Sequence, residues 1–111
     1  MNVIEFAKKY RKLNCLPGEL FTTIRRDSHE NDSKFVFKEG QLFVVKVKGE
    51  NMMNARLLCS TSVGRVRYLS QYLRDYDTDG NAVELFDRYG DDFVILLIFQ
   101  KVGDVERGNT L

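Results

Sequence analysis

Two cysteines, one histidine and one proline are all that this chain of 111 residues holds of those types, and it has no tryptophan. These shortages exclude much. Cys15 and Cys59 lack metal-type spacing, and two lone thiols suit packing in a reducing compartment rather than a disulfide framework. The single histidine, His29, sits in the most polar stretch with no cysteine near it in sequence, so nucleophilic catalysis of the Cys-His kind has little to work with. No phosphate-cradling glycine motif and no zinc ligand spacing occur, and nothing calls for a cofactor. The longest apolar run, Phe93 to Phe99, is seven residues. That is strand length, well short of the roughly 20 residues that span a bilayer. The start, Met1-Asn2-Val3-Ile4-Glu5, carries charge where a signal peptide would be apolar, so a cytoplasmic location is expected.

What the chain does have is an ordinary globular composition, 43% apolar and 30% charged, enough for one small core. A single domain over 1–111 is expected, with a core over about 15–102 and a flexible tail over 103–111. Net charge is only +1, but residues 1–67 carry 13 Lys/Arg against 7 Asp/Glu, and residues 68–111 carry 4 against 9. A basic first part suits a phosphate-bearing partner, because bound Lys and Arg release counterions. The plain alternative is that folding mixes the two signs again.

Apolar spacing predicts a helix from Val3 to Leu13, through Ile4, Ala7 and Tyr10. Pro17-Gly18 then turns the chain. Phe21 to Arg26 reads as a strand with Phe21, Thr23 and Arg25 on one face and Thr22, Ile24 and Arg26 on the other. Asp27 to Ser33 reads as a loop and Phe35 to Phe37 as a short strand ending in the Lys38-Glu39-Gly40 turn. Gln41–Lys48 and Met52–Ser60 form a hairpin across Gly49-Glu50-Asn51. Phe43, Val45 and Val47 share one face of its first strand, and Met53, Ala55, Leu57 and Cys59 one face of its second. Two helices follow, about Val66–Asp75 with Val66, Leu69, Tyr72 and Leu73 as its stripe, and about Asn81–Tyr89 with Val83, Phe86 and Leu85 or Tyr89 inward. Gly90 stops the second. The apolar strand Phe93–Val102 should be central and covered on both faces. Strands and helices do not alternate strictly, so the fold class is α+β, a small mixed β-barrel of about five to six strands flanked by helices.

Asp75-x-Asp77-x-Asp79-Gly80 begins like a calcium-binding loop. It fails to close, since the twelfth position is Phe86, the eighth is Ala82, and Glu84 comes two places early. The reading that remains is a solvated acidic turn with Asp79 capping the second helix. The basic set is the better candidate site. Arg25 and Arg26 end one strand, Lys46 and Lys48 end another, Arg56 lies mid-strand, and Arg65 and Arg67 open the helical segment. With the Thr22 and Thr23 hydroxyls they could line one groove for phosphate oxygens, and Phe21, Phe35 and Tyr68 could stack on unpaired bases. Otherwise they are a charged strand surface over an aromatic core.

The order of several short pieces resembles the PUA-like superfamily and, within it, the ASCH (activating signal cointegrator homology) domains. These pieces are Gly18-x-x-x-x-Thr23-Ile24-Arg25, the Phe37-Lys38-Glu39-Gly40-Gln41 turn, Ala55-Arg56-Leu57, Asp79-Gly80, and Tyr89-Gly90 with Val94 to Phe99. The resemblance implies a small barrel flanked by helices that recognises RNA or a modified nucleotide beside the Thr-Ile-Arg strand. Some relatives hydrolyse acetylated cytidine with a lysine three residues before the threonine, the threonine, and a downstream glutamate. Here the threonine corresponds to Thr23, but Leu20 occupies the lysine position and cannot act as a base. The downstream carboxylate could be Asp77, Asp79 or Glu84. The expectation is therefore a nucleic-acid-binding domain, with RNA the expected ligand and no membrane partner. A hydrolase acting on a modified nucleoside and a protein-interaction adaptor are the alternatives.

Overall fold

The computed structural model describes residues 2–27 and 37–105. His29, Phe35 and Val36, and the last six residues of the expected tail, lie outside the described residues. The architecture is mixed α+β. Five strands, β1 (Asn2–Phe6), β2 (Leu20–Arg26), β3 (Leu42–Val47), β4 (Glu50–Arg65) and β5 (Phe93–Asp104), form one curled sheet in the order β1-β3-β4-β5-β2. Two helices, α1 (Gln71–Thr78) and α2 (Val83–Tyr89), connect β4 to β5. The sheet is a half-barrel and not the expected closed barrel, because no ladder joins its edge strands, β1 and β2. No helix among the described residues is long and apolar enough to cross a membrane.

The N-terminal helix expected over Val3–Leu13 is replaced by β1 and a single 3-10 turn, Arg11–Leu13. Ile4 and Phe6 alternate inward, and β1 pairs in parallel with β3, from Asn2 opposite Phe43 to Phe6 opposite Val47. A partner some forty residues away outweighs local helical spacing. The hairpin turn is tighter than expected. Lys48 and Gly49 both have positive φ, 51° and 80°. That is the pattern of a two-residue turn matching the strand twist, and it moves Lys48 off the strand face.

Strand β4 runs on to Arg65, and its register against β5 slips between Leu57 and Cys59 and again between Ser62 and Gly64. The first bulge breaks the expected Met53-Ala55-Leu57-Cys59 face. Leu57 stands opposite Phe99 and inward, while Cys59 stands opposite Ile98 and is half-exposed. The helix expected over Val66–Asp75 is a 3-10 turn, Val66–Tyr68, followed by α1. Ser70 is extended and its hydroxyl accepts the Leu73 N–H, so α1 starts there.

The sheet separates two apolar clusters. Inside the curl lie Phe6, Phe21, Phe43, Leu57, Leu97 and Phe99 with their neighbours. Phe21 stacks on Phe99 at 5.3 Å, and Phe43 meets Phe99 edge-on at 5.3 Å. Under the helices lie Ile24, Val66, Leu69, Leu85 and Val94. Strand β5 contributes to both, as an apolar run covered on two faces should. In the helices, Leu85 is buried, but Tyr72 is 81% exposed, Val83 63% and Phe86 37%, against their expected inward positions. Residues 103 and 104 of the expected tail belong to β5.

Candidate functional site

An open sheet leaves two rows of backbone groups without ladder partners, and here side chains take their place. On β2, the Ile24 N–H donates to Asp77 Oδ2 at 3.2 Å, and the Ile24 carbonyl accepts from the Tyr89 hydroxyl at 2.9 Å. On β1, the Glu5 carbonyl accepts from Arg25 Nη2 at 2.8 Å. Arg25 thus reaches from one edge strand to the other. Below it Phe6 and Phe21 close the gap edge to face, 6.5 Å apart, and the guanidinium lies 4.9 Å from the Phe6 ring centre.

This seam holds a polar cleft of about 30 Å³, room for one or two waters. Thr23 and Arg25 enter it from β2 on the same face as Phe21, as the strand period predicts, and that face is the inner one. Thr23 is buried, and its hydroxyl accepts from Arg25 Nε at 3.2 Å. Burial pulls the Arg25 pKa below the ordinary guanidinium value, and Asp77 and two tyrosines pull it back only in part. Among the described residues no carboxylate forms an ion pair with Arg25.

Lys12, from the 3-10 turn, is the cation that sequence reasoning missed. Its ammonium lies 2.6 Å from Asp77 Oδ1, and both side chains are buried, 1% and 5% exposed. Burial lowers the Lys12 pKa, with Asp77 opposing, and the ammonium lies over the Phe6 and Tyr10 rings at 5.3 and 5.2 Å. Asp77 Oδ1 also accepts from the Thr22 hydroxyl at 3.2 Å. At the helix side of the cleft, Glu84 accepts from the Tyr10 hydroxyl and from Arg88 Nη2 at 2.8 Å, and pairs with Lys8 at 3.4 Å. Burial works against the Glu84 carboxylate, but these partners outweigh it and hold the pKa below the ordinary value. Burial, then the bond to Glu84, raises the Tyr10 pKa.

The acidic turn forms no metal site. Asp77 points inward, Asp75 accepts from Gln71 at 2.8 Å, and Asp79 accepts the Arg11 N–H at 3.0 Å. No group of three or more candidate ligands occurs among the described residues. Asp79 also does not cap the second helix. It ends α1 at φ 56°, and α2 starts at Ala82 with no side-chain cap.

The remaining predicted residues do not gather at the seam. Arg26 pairs with Asp92 at 2.5 Å. Arg65 and Arg67 share Asp91 at 3.9 and 3.4 Å. Arg56 donates to the Gly40 carbonyl at 2.8 Å. Lys46 stands opposite Asn51 near the β3–β4 hairpin, and Lys48 is in its turn. The charge division along the chain folds back on itself. Among the described residues six ion pairs join a cation from residues 1–67 to a carboxylate from 68–111, from Lys8–Glu84 to Arg67–Asp91.

Asp77 was recognisable by one sign. It lies four residues after Leu73 and eight after Leu69, on the inward stripe of the helical segment, where a charge requires a partner. Nothing local marked Lys12. No protein-family model, no curated protein and no solved structure matches the chain.

Proposed function

We propose that this is an RNA-binding domain of PUA-like kind that receives an unpaired nucleotide against the seam between β1 and β2. Arg25 carries the reading. A half-buried guanidinium on the inner face of a strand, tied to Thr23 and Glu5 but without a carboxylate partner among the described residues, keeps a positive charge that an anion would match. Its protein bonds, to Thr23 and Glu5, use two of its five donors. A phosphate oxygen at the seam would take others, and the Thr23 hydroxyl would add a short polar contact. Arg26, Arg65 and Arg67 are neutralised by Asp91 and Asp92, so binding would rest on few phosphates.

The test is fluorescence anisotropy with single-stranded RNA, double-stranded RNA and single-stranded DNA at low and high salt. Arg25→Met should weaken RNA binding at least about tenfold, equal to roughly 1.4 kcal/mol. Lys46→Glu with Lys48→Glu should weaken it less and alike for all sequences. No binding at low salt would refute the reading.

A second reading has one observation in its favour. Lys12 stands in the cleft with Thr23 and Asp77, although the strand position for a lysine holds Leu20. A buried lysine of lowered pKa could serve as base to a threonine nucleophile acting on the acyl group of a modified nucleoside. At about 30 Å³ the cleft has room for water but not for a nucleoside, so this reading ranks second. Turnover of an acetylated nucleoside that disappears in Thr23→Val would establish it.

A further inference from the structure

A second depression, a groove of about 450 Å³, lies on the outer side of α1 and shares Lys12 with the seam cleft. Tyr72 and Tyr76 stand one helical turn apart along it, 81% and 37% exposed. Across from them is Arg11, whose side chain is 83% exposed. The groove ends at Asp79 and Gly80, both of positive φ, so no side chain of residue 80 fills it. Tyr72, outward and outside both core clusters, adds little to folding, and Tyr76 stands partly covered beside it. Their value is as flat faces for another ring.

The polar groups around the rings complement one ring edge in particular. Asp75 gives one carboxylate oxygen to Gln71 Nε2 at 2.8 Å. Its other oxygen can accept N–H groups, and the Arg11 guanidinium, whose Nε lies 3.9 Å from Asp79 Oδ1, can donate to a carbonyl through its Nη groups. Guanine presents two adjacent N–H donors and a carbonyl oxygen on one edge. Adenine presents a single amino donor and no carbonyl there. We infer that this groove is a stacking site for an unpaired guanine base, with Tyr72 as the platform, Asp75 accepting from the base edge and Arg11 donating to it. The inference rests on the RNA reading only for the source of the base, because a mononucleotide can test it directly.

The experiment is titration of the full chain with guanosine and adenosine monophosphates, followed by tyrosine emission, which no tryptophan obscures. Guanosine monophosphate should bind saturably and more tightly than adenosine monophosphate. Tyr72→Ala should weaken it by roughly 5- to 150-fold, the equivalent of losing one stacked base. Tyr72→Phe should keep the affinity, and Asp75→Asn should remove the preference for guanine. Tyr72 is on the surface and Asp75 is half-buried, and unchanged thermal unfolding confirms that the variants are intact. Absence of saturable binding up to about 1 mM overturns the inference. So does binding untouched by Tyr72→Ala, as a protein-docking use of the tyrosines would give. Loss in Arg25→Met alone puts the base in the seam and overturns the groove. RNA binding that fails while the mononucleotide still needs Tyr72 would instead retire the seam reading and leave the groove standing.

Discussion

Lys12 and Asp77, sixty-five residues apart, meet as a buried ion pair with Nζ 2.6 Å from Oδ1. The same carboxylate holds the edge of β2 through the Ile24 N–H. One side chain therefore fastens the 3-10 turn, the last turn of α1 and the open edge of the sheet. Breaking it from one side leaves a charge buried and an edge amide unpaired. Asp77→Ala should cost about 3–5 kcal/mol in urea unfolding. The apolar pair Lys12→Met with Asp77→Leu removes the buried charge and should cost less, about 1–3 kcal/mol remaining for the unpaired Ile24 N–H. If the double variant is as unstable as the single one, the pair is needed for itself and not merely for being matched.

Arg25 is the tie across the seam, from Nη2 to the Glu5 carbonyl. Its loss should free β1 from β2 and make the β1–β3 ladder, the one that remains to β1, open more often. Arg25→Met should speed amide exchange in Asn2–Phe6 about tenfold, roughly 1.4 kcal/mol of local opening, with β4 and β5 unchanged. Equal acceleration throughout the sheet would mean that the bond supports the whole fold.

Glu84 links stability to pH. Its folded pKa lies below the ordinary carboxyl value of about 4.5. Between the two values the unfolded chain holds a proton that the folded chain does not, so stability rises with pH across that window. The contribution is complete above about 4.5 and is lost as the pH falls through the folded value. Melting temperature should therefore fall on acidification below this point, and Glu84→Gln should flatten that part of the curve. An unchanged slope in Glu84→Gln would assign the acid sensitivity to other carboxylates.

Asp91 and Asp92 neutralise Arg26, Arg65 and Arg67 near the start of β5. Asp91→Asn with Asp92→Asn should release these cations. RNA binding should then strengthen at low salt without gaining selectivity, and its salt dependence should steepen. Unaltered salt dependence would show that nucleic acid does not pass near this end of the sheet.

Much of the framework could be read along the chain because it depends on local pattern. Strand β2 with its two faces, the β3 face of Phe43, Val45 and Val47, the doubly covered β5 and the stop at Gly90 all follow from periodicity and turn residues. What could not be read depends on distant partners. Asn2–Phe6 is a strand because β3 is beside it, and its own helical spacing through Ile4, Ala7 and Tyr10 pointed elsewhere. The bulge at Leu58 reverses the parity of β4 with no glycine or proline to announce it. The site was half readable in the same way. Thr23 and Arg25 shared a face with Phe21 by simple alternation. Lys12 and Asp77 reach them only because the chain returns, and the cations expected to join them find carboxylates from the second half of the chain first.

The most direct measurement is a map of amide chemical shifts during titration with a short single-stranded RNA. Recognition at the seam predicts saturable changes concentrated at Glu5, Phe6, Thr23, Ile24 and Arg25, with weaker effects at the β3–β4 hairpin. Changes confined to the hairpin, or none at low salt, would show that the seam does not receive RNA.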